Sequence, residues 1–547
     1  MNVIINDKKV KYNGEKILDL LIKLYPDTYH KFFGAIVNNT VYNLNQRVSD
    51  GDKIELLTAS TDDGYKILTR TMTLVLALAL KKIDPDCLLE VEHFIGGGLY
   101  VEFLNGPDVN NEFVTKLTMY MREIIEADIP IERTQVDKKT ALKLFTAEGY
   151  VEKTSLLETL EIENVDIYYV DDYVFSFHGY LAPTTAFAKD FYLKLYYPGL
   201  VMMFPSPKSE DKVPEFYEER SLAKVFSNSK RWTDLLGIGY VSNLNKAIME
   251  GDYEYLIEVS ETYFENKISQ VADEIVADDE INFILIAGPS SSGKTTTAHR
   301  LGVQMAVRGK RPMSISVDDY FLERDKTPKD ENGNLDFETI NAVDIEYFNN
   351  DLLALLDGKT IQLPRYNFHT GKREMSENYV FTDADHPIII EGIHALNPKL
   401  TKDVPDKNKF KIYISALTQL NLDKHNRISA TDVRLLRRIV RDHNFRGYSA
   451  VETFELWKSV RKGEEKWIFP FQDEANFHLD SALIYEISIL KSNVMELFSN
   501  IDDSYECYKD VKRLQRFLNY FKIIEDDSVV PQNSILREFI GKASNKK

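Results

Sequence analysis

The sequence predicts a multidomain α/β protein, and three observations support this fold class. The chain has 547 residues, too many for one hydrophobic core, because domains usually contain roughly 100 to 200 residues. Apolar residues make up 44% and charged residues 28% of the chain, which is typical of a globular protein. Helix and strand patterns follow each other along the chain, and they alternate in the C-terminal half.

Charge and cysteine content exclude several classes of protein. The formal net charge of −19 opposes general binding to a nucleic-acid backbone, although a local basic face could still bind phosphate. The two cysteines, Cys87 and Cys507, are too few and too far apart for a disulfide framework or a thiolate-rich zinc site. The longest apolar run, residues 74–80, cannot span about 30 Å of hydrocarbon, and no leader pattern precedes it. We therefore expect a cytoplasmic protein without a membrane segment.

Residues 1–62 are predicted to form a small β-grasp domain. Short β-prone runs at residues 3–5 and 54–57 flank one helical stretch at residues 17–24. The Asp-Gly-Asp sequence at residues 50–52 is a turn signal between these elements.

Residues 63–222 are predicted to form an α+β domain. A helical pattern at residues 67–82 is followed by strand patterns at residues 99–103 and 165–170. A mixed order of this kind indicates an α+β module. The proline-rich, charged residues 205–214 mark its far edge.

The C-terminal half is predicted to be a doubly wound parallel sheet that follows a helical connector at residues 223–276. Within the domain at residues 277–500, the apolar run 281–287 is broken only by Asn282 and ends at a glycine, as in a fully buried parallel strand. Further strands are predicted at residues 313–317, 388–390 and 410–414. Helical patterns separate these strands, which favours the doubly wound arrangement. Residues 501–547 are expected to form a C-terminal helical extension.

The turn after the first of these strands matches the phosphate-binding pattern G-x-x-x-x-G-K-[ST] without deviation. Gly288 and Gly293 let the backbone N–H groups point at one anion, and the following helix adds its positive dipole end. Lys294 is expected to bridge the β- and γ-phosphates of ATP, and the Thr295 hydroxyl to hold Mg²⁺. The alternative is a serine-rich turn that binds no ligand. The predicted nucleotide-binding residues are Gly288, Pro289, Ser290, Ser291, Ser292, Gly293, Lys294, Thr295 and Thr296.

Two further strands deliver carboxylates to the same edge of the sheet, where ligands bind in such folds. Asp318 and Asp319 follow the second strand, and Glu391 follows the third. A hydroxyl acceptor needs a carboxylate to accept its proton during phosphoryl transfer, and Asp318 is our first choice. Asp319 is expected to cap the next helix. Glu391 is expected to hold Mg²⁺ through water, to pair with a neighbouring lysine or arginine, or to do both.

Arginines recur on one face of a predicted helix. Arg434, Arg437, Arg438 and Arg441 have the spacing i, i+3, i+4 and i+7, and Arg446 follows them. Guanidinium groups on a hinged lid could meet the charge of a phosphoryl-transfer transition state once substrate is bound. The alternative is a solvated charged face.

Six blocks of sequence resemble, in order, the uridine kinase and phosphoribulokinase family of P-loop kinases. The blocks lie at residues 288–296, 317–321, 335–338, 364–368, 390–393 and 437–447. The resemblance implies a kinase that uses ATP and Mg²⁺, with Asp318 as the catalytic base and a lid that carries arginines. The catalytic residues are then Lys294, Asp318, Arg437 and Arg441, and the metal ligands are Thr295, Asp318 and Glu391. The acceptor site is assigned to Asp336, Tyr366, His369, Arg373, Arg434 and Arg446.

One departure from this family concerns the acceptor. Uridine kinases usually read Tyr-Asp-Phe-x-x-His-x-Arg where this chain has Tyr366, Asn367 and Phe368, with Gly371 at the histidine position. His369 lies two positions earlier and can replace that histidine only if the loop bends differently. A pyrimidine nucleoside is the favoured acceptor, and another metabolite is the alternative.

The N-terminal half has a resemblance of its own. Residues 1–62, including the sequence VSDGDKIELLT at residues 48–58, resemble a TGS domain. Residues 63–222 are similar to the editing domain of threonyl-tRNA synthetase. The whole chain resembles bacterial proteins in which these two modules precede a uridine kinase-like domain.

The editing-like module lacks the residues that editing chemistry requires. The editing pattern has two histidines four residues apart and a distal cysteine and histidine for metal. Here His93 stands alone, Gly97 takes the second position, Cys87 lies nearby and His178 is the one distal histidine. We interpret the module as a non-catalytic unit that binds tRNA or a small ligand.

Two classes of function remain open at this stage. The first is an ATP-dependent phosphotransferase that acts on a hydroxyl group, with the 5′-hydroxyl of uridine or cytidine as the favoured acceptor. The second is a nucleotide-gated regulator that binds tRNA or other RNA, which would not need Asp318, Asp336 and Tyr366. We also expect a homo-oligomer, although no residue pattern defines its interface.

Overall fold

The computed structural model describes residues 2–12, 14–209, 211–331 and 333–542. The N-terminal unit has the elements β1 (Asn2–Ile5), β2 (Lys8–Lys11), α1 (Ile17–Leu24), β3 (Gly34–Val37), β4 (Thr40–Tyr42) and β5 (Lys53–Leu57). Its strands lie in the order β2-β1-β5-β3-β4, with β1 and β5 parallel. Helix α1 buries Ile17, Leu20 and Leu21 in the same core. The β-grasp prediction is confirmed.

The middle domain has two antiparallel sheets, as expected for an α+β module. Its elements are α2 (Asp62–Ile83), β6 (Leu88–Ile95), β7 (Gly98–Leu104), α3 (Asn111–Glu126), β8 (Glu132–Asp137), α4 (Lys138–Ala147), α5 (Val151–Thr159), β9 (Asn164–Val170), β10 (Tyr173–Phe175), β11 (Tyr192–Tyr196) and β12 (Gly199–Met203). The sheets have the orders β11-β12-β7-β6 and β10-β9-β8. Residues 74–80 of α2 are all buried, which explains why this part of the helix is apolar on every side.

Three helices lie where the sequence predicts a helical connector. They are α6 (Arg220–Leu236), α7 (Val241–Glu250) and α8 (Tyr253–Val276). Helices α6 and α7 end at Gly237 (φ 66°) and Gly251 (φ 87°), because the left-handed backbone that closes a helix favours glycine. Helix α8 places the Glu261 carboxylate 3.2 Å from the guanidinium of Arg300 in the next domain. The domain boundaries themselves stay predictions.

The C-terminal domain is built on a parallel sheet of five strands. Its elements are β13 (Phe283–Ala287), α9 (Lys294–Val307), β14 (Met313–Ser316), α10 (Ile345–Leu356), β15 (Ile361–Asn367), β16 (Lys372–Val380), β17 (Ile388–Glu391), β18 (Lys409–Ser415), α11 (Ala430–Arg446), α12 (Ala450–Trp467), β19 (Phe477–Asp480) and α13 (Glu486–Phe498). The strand order is β14-β17-β13-β18-β19. All five residues of the central strand β13 are buried, as its continuous apolar run predicts. The doubly wound sheet is confirmed, whereas β19 and the β15–β16 hairpin are not predicted by the sequence.

The C-terminal extension adds α14 (Tyr508–Leu518) and α15 (Arg537–Ile540). The short helix α15 packs against α11, so the end of the described chain returns to the C-terminal domain. Among the helices in the described ranges, none combines the length and apolar character needed to cross a bilayer.

The loop between β18 and α11 fastens the C-terminal domain to the middle domain. Asp423 of this loop lies 2.8 Å from the Lys153 ammonium, and Lys424 lies 2.9 Å from Glu152. The backbone N–H of Val91 donates to the Lys424 carbonyl at 2.8 Å. The middle domain is therefore attached immediately before α11 begins.

Candidate active site

The turn between β13 and α9 has the geometry of a phosphate-binding loop. Gly288 has no room for a side chain, since a Cβ there would lie 2.1 Å from the carbonyl oxygen of Ile414. Ser291 and Gly293 have φ values of 61° and 84°, and this left-handed backbone curls the loop so that its N–H groups can converge. Helix α9 begins at Lys294, and its unpaired N–H groups and positive dipole end therefore face the turn.

The side chain of Lys294 folds back over this loop. Its Nζ donates to the carbonyl oxygens of Gly288 at 3.0 Å and Pro289 at 3.2 Å. Burial lowers the pKa of the ammonium group, and nearby carboxylates, above all Glu391, oppose that effect. The ammonium group is thus held between the loop and a set of acidic residues.

Glu391 ends strand β17 opposite the start of α9. Its Oε2 accepts from the Thr295 hydroxyl at 3.5 Å, and its Oε1 accepts from the Ser316 hydroxyl at 3.3 Å. Burial, reinforced by the negative charge of Asp318, raises the pKa of Glu391 to about 7. No lysine or arginine in the described part of the chain forms an ion pair with it. Mg²⁺ prefers oxygen ligands such as the Thr295 hydroxyl and the carboxylates of Asp318 and Glu391, so these three residues fit a magnesium ion.

Asp318 lies on the 3₁₀ turn Val317–Tyr320 that follows β14. The residue is exposed to solvent, yet the surrounding protein desolvates its carboxylate and raises its pKa, while Lys294 opposes the shift. The structure places Asp318 at the same edge of the sheet as Lys294 and Glu391. Asp319 does not cap a helix, which corrects our expectation, because its Oδ1 accepts the backbone N–H of Tyr366 at 3.2 Å.

Two arginines of α11 lie directly behind the phosphate-binding loop. Arg434 forms a two-point ion pair with Glu464 of α12, with Nη2 and Oε2 2.8 Å apart, and also donates to the carbonyl of Ser290 at 3.2 Å. Arg438 donates to the Ser290 hydroxyl at 2.7 Å. Both side chains are buried. The alternative of a solvated face is therefore wrong for them, and Arg434 is not free to contact an acceptor as predicted.

Arg437 is the most deeply buried of these arginines, with 0% of the residue exposed. Its Nε donates to Glu486 at 2.6 Å, and its other nitrogens donate to the carbonyl oxygens of Ser291 at 3.2 Å and Ser481 at 2.8 Å. A group with these bonds supports the loop from inside the domain. Arg437 therefore does not lie on a hinged lid, which corrects the expectation for this residue.

Arg441 and Arg446 are the arginines of the predicted face that remain nearer the cleft. Both lie 3.3 Å from an oxygen of the buried Asp442. Burial lowers the pKa of Arg441 to about 10, whereas the side chain of Arg446 is 48% exposed and acts electrostatically on Asp318. These two guanidinium groups are the ones that could reach a bound anion.

Glu338 belongs to the site although the sequence analysis gave it no role. Burial raises its pKa to about 7, with Arg438 opposing and Asp318 reinforcing the shift. A Cβ at Gly463 of α12 would lie only 2.5 Å from the Cβ of Glu338, so Glu338 packs closely against α12 at a position that has no side chain. Its position in the block at residues 335–338, beside Asp336, is the signal that could have identified it.

Four aromatic side chains form a cluster next to Asp319. The rings of Phe321, Phe337, Tyr366 and Phe368 have centroid separations of 5.0 to 6.4 Å. The Tyr366 hydroxyl is buried and has no hydrogen-bond partner among the described residues. Buried hydroxyls are normally satisfied, so this one can receive a polar atom of a ligand. Asp336, which is also a predicted acceptor contact, accepts the backbone N–H of Glu338 at 3.0 Å.

Two further predicted acceptor contacts, His369 and Arg373, lie on the β15–β16 hairpin. His369 is exposed, and its backbone N–H donates to the Asn367 side chain at 3.0 Å. Arg373 is already engaged, since it lies 3.0 Å from Asp344 and 4.7 Å from the ring centre of Tyr347. Arg373 therefore has a structural partner here, which differs from its predicted role as a substrate contact.

A buried parallel strand, a glycine turn, a helix N-terminus and carboxylates on the adjoining strands together define a P-loop nucleotide-binding domain. Residues 283–487 match the model of the Phosphoribulokinase / Uridine kinase family, which confirms the resemblance of this part of the chain to that family. A possible uridine kinase from Bacillus stearothermophilus is 22% identical, with a TM-score of 0.27, over 39% of this chain and 98% of that one. D-glycerate 3-kinase from Cryptococcus neoformans var. grubii is 15% identical, with a TM-score of 0.21, over 48% of this chain and 90% of that one.

The N-terminal part is similar to threonine–tRNA ligases. The ligase of Clostridium kluyveri is 29% identical over 186 residues, which are 34% of this chain and 29% of the ligase. The ligase of Ehrlichia canis is 24% identical over 196 residues, which are 35% of this chain and 31% of the ligase. This similarity confirms the N-terminal resemblance to threonyl-tRNA synthetase. The chain spans less than a third of the length of these curated relatives.

Proposed function

We propose that the C-terminal domain is an ATP-dependent kinase that phosphorylates a hydroxyl group, and that its acceptor is the 5′-hydroxyl of uridine or cytidine. One observation carries the proposal. Lys294, Thr295, Asp318 and Glu391 come from three separate elements and meet at the carboxyl edge of one parallel sheet. A nucleotide-binding domain that served only as a switch would not need a carboxylate placed like Asp318.

Each of these side chains has a physical task in this proposal. Lys294 neutralises charge on the β- and γ-phosphates, while Thr295 and Glu391 hold the Mg²⁺ that would neutralise the transferring phosphoryl group. Asp318 orients the acceptor hydroxyl and receives its proton. The acceptor oxygen forms a bond to the γ-phosphorus as the bond to the bridging oxygen breaks, and ADP leaves.

The aromatic cluster supports a nucleoside as the acceptor. A planar base can stack against the ring of Phe368, which is exposed. The Tyr366 hydroxyl, which has no hydrogen-bond partner among the described residues, can meet a base or sugar oxygen. Gly371 cannot supply the missing histidine, because its φ is 68° and a Cβ would lie 2.7 Å from the Arg324 side chain. Base recognition in this chain therefore depends on other groups of the hairpin, of which His369 is the exposed candidate.

A screen of acceptors tests the proposal directly. We expect transfer of the γ-phosphate of labelled ATP to uridine and cytidine, and much less to purine nucleosides, sugar phosphates or glycerate. The Lys294→Met variant should lose transfer to every acceptor, whereas a matched change at the exposed Lys462 should not alter it. If only another hydroxyl compound is phosphorylated efficiently, uridine and cytidine are not the acceptors. If the protein does not bind ATP, the kinase proposal is wrong.

A second candidate is a nucleotide-gated regulator in which the N-terminal modules bind tRNA or a small ligand. Two observations favour it: the similarity to threonine–tRNA ligases and the attachment of the middle domain to the loop before α11. Filter binding with tRNA, with and without ATP, tests this candidate. No RNA affinity in either condition would exclude the tRNA version. The homo-oligomer also remains a proposal, which light scattering after size-exclusion chromatography would test.

A further inference from the structure

The C-terminal segment at residues 534–541 lies against the phosphate-binding loop. Ile535 fills the space beside Gly293, where a Cβ would lie 2.2 Å from its Cδ1. Leu536 and Phe539 are fully buried, and the Phe539 ring centre lies 5.1 Å from the guanidinium carbon of Arg437. This segment comes from outside the part of the chain that matches the kinase family.

Glu538 of this segment binds the first turn of α9. Its Oε2 accepts from the Thr296 hydroxyl at 2.8 Å and from the Thr296 backbone N–H at 3.3 Å. The same carboxylate acts electrostatically on Lys294 and on Arg441. The Glu538 carboxylate thus binds hydrogen-bond donors at the N-terminus of α9, and donors at this position also suit a phosphate group.

A carboxylate at this position works against a bound triphosphate. Both anions use the same donors of Thr296, and like charges in a partly buried site repel each other strongly. Nucleotide binding therefore requires that the Glu538 side chain release Thr296. We propose that Glu538 competes with the nucleotide phosphates for the donors of Thr296 and thereby lowers the affinity for ATP. This inference rests on the proposed function.

The release requires only a side-chain rotation, because the backbone of the segment is anchored elsewhere. The Arg537 guanidinium donates to the carbonyl oxygens of Asp527 and Val530, each at 2.6 Å. Asn444 of α11 donates to the Phe539 carbonyl at 3.1 Å. None of these bonds involves the Glu538 carboxylate. A change at this one side chain can therefore be tested without detaching the segment.

The test compares ATP binding, measured by calorimetry in the presence of Mg²⁺, in the full chain and in three variants. Glu538→Gln removes the charge and keeps an acceptor oxygen, whereas Glu538→Ala removes both. Glu525→Gln makes the same charge change at an exposed position of the extension and serves as the control. We expect both Glu538 variants to bind ATP about tenfold tighter, as the loss of one charge-assisted competitor implies, and the control to match the parent.

A second measurement separates competition from a structural role. Without nucleotide, Glu538→Ala should melt at a lower temperature than the parent, because it loses two hydrogen bonds. At saturating ATP this difference should vanish, because the parent has then released the same bonds. Unchanged or weaker ATP binding by both Glu538 variants would overturn the inference and leave the kinase proposal standing. If neither the parent nor any variant binds ATP, the proposed function itself fails, and the inference fails with it.

Discussion

The Nε atom of Arg437 lies 2.6 Å from Oε2 of Glu486, and the two side chains are 0% and 3% exposed. The same guanidinium donates to the backbone of the phosphate-binding loop at Ser291. A charge pair inside the domain therefore supports the backbone of this loop. Burial raises the pKa of Glu486, and Arg437 opposes the shift.

Removing one partner of this pair should destabilise the fold. In Arg437→Met the Glu486 carboxylate is left buried and unpaired, so the free energy of unfolding should fall by about 3 to 5 kcal/mol. Urea denaturation of the full chain measures this change. Arg446→Met is the matched control, because its side chain is 48% exposed, and it should shift stability by less than about 1 kcal/mol. Normal stability of Arg437→Met together with lost phosphate transfer would instead restore a direct role in catalysis.

Asp318→Asn should abolish transfer and leave nucleotide binding in place. The amide keeps the size of the side chain but cannot take up the proton of the substrate hydroxyl, so kcat should fall by about 10²- to 10⁴-fold. The affinity for ATP, measured by calorimetry without Mg²⁺, should not become weaker, since Asp318 adds negative charge to the site. Asp325→Asn, an exposed change seven positions along the chain, should match the parent in both measurements. A variant that still transfers phosphate at the parental rate would show that another group is the base.

The requirement for magnesium should depend on pH through Glu391. Its pKa is raised to about 7, so below that pH the side chain is mainly protonated and has lost the charge that binds the metal. The Mg²⁺ concentration for half-maximal activity, measured at saturating ATP, should therefore rise as the pH falls from about 8 to 6. Glu391→Gln should need more Mg²⁺ at every pH and lose this dependence. An identical pH dependence in the variant would mean that another group causes it.

The parts of the site that follow from local sequence could be predicted. The central strand β13 is recognisable because all five of its residues are apolar and buried, and the glycine turn after it has a fixed spacing. The carboxylates Asp318 and Glu391 follow from the rule that parallel strands end at the same edge of the sheet.

What the sequence could not predict depends on partners that are far apart in the chain. The sequence predicts that Arg434 and Arg437 share one helix face, but it does not predict their partners, because Glu464 and Glu486 lie 30 and 49 residues away. The contact between Glu538 and Thr296 spans 242 residues, and neither residue has a local pattern that indicates the other. Strand β19 has the sequence Phe-His-Leu-Asp, so it lacks the apolar run that identifies β13 and β17.

Asp423 should be essential for the attachment of the middle domain to the C-terminal domain. It forms a buried ion pair with Lys153 at 2.8 Å, with side-chain exposures of 8% and 3%, and it also accepts the backbone N–H of His425 at 2.8 Å. Burial alone would raise the pKa of Asp423, but Lys153 and these hydrogen bonds hold it below its usual value. Its stabilising effect is then present above the unfolded pKa and is lost as the pH falls through the folded pKa.

Asp423→Ala should therefore lower the free energy of unfolding at neutral pH by about 3 to 5 kcal/mol, because it leaves the Lys153 ammonium buried without a counter-charge. Urea denaturation at a series of pH values measures the effect. The difference from the parent should begin to shrink below about pH 4, where the carboxylate of the unfolded chain starts to be protonated, and it should disappear once the pH has fallen below the lower pKa of the folded state. Lys462→Met, which breaks an ion pair with Glu331 whose side chains are both 72% exposed, is the control and should have little effect at any pH. If Asp423→Ala unfolds like the parent at neutral pH, this ion pair does not contribute to holding the two domains together.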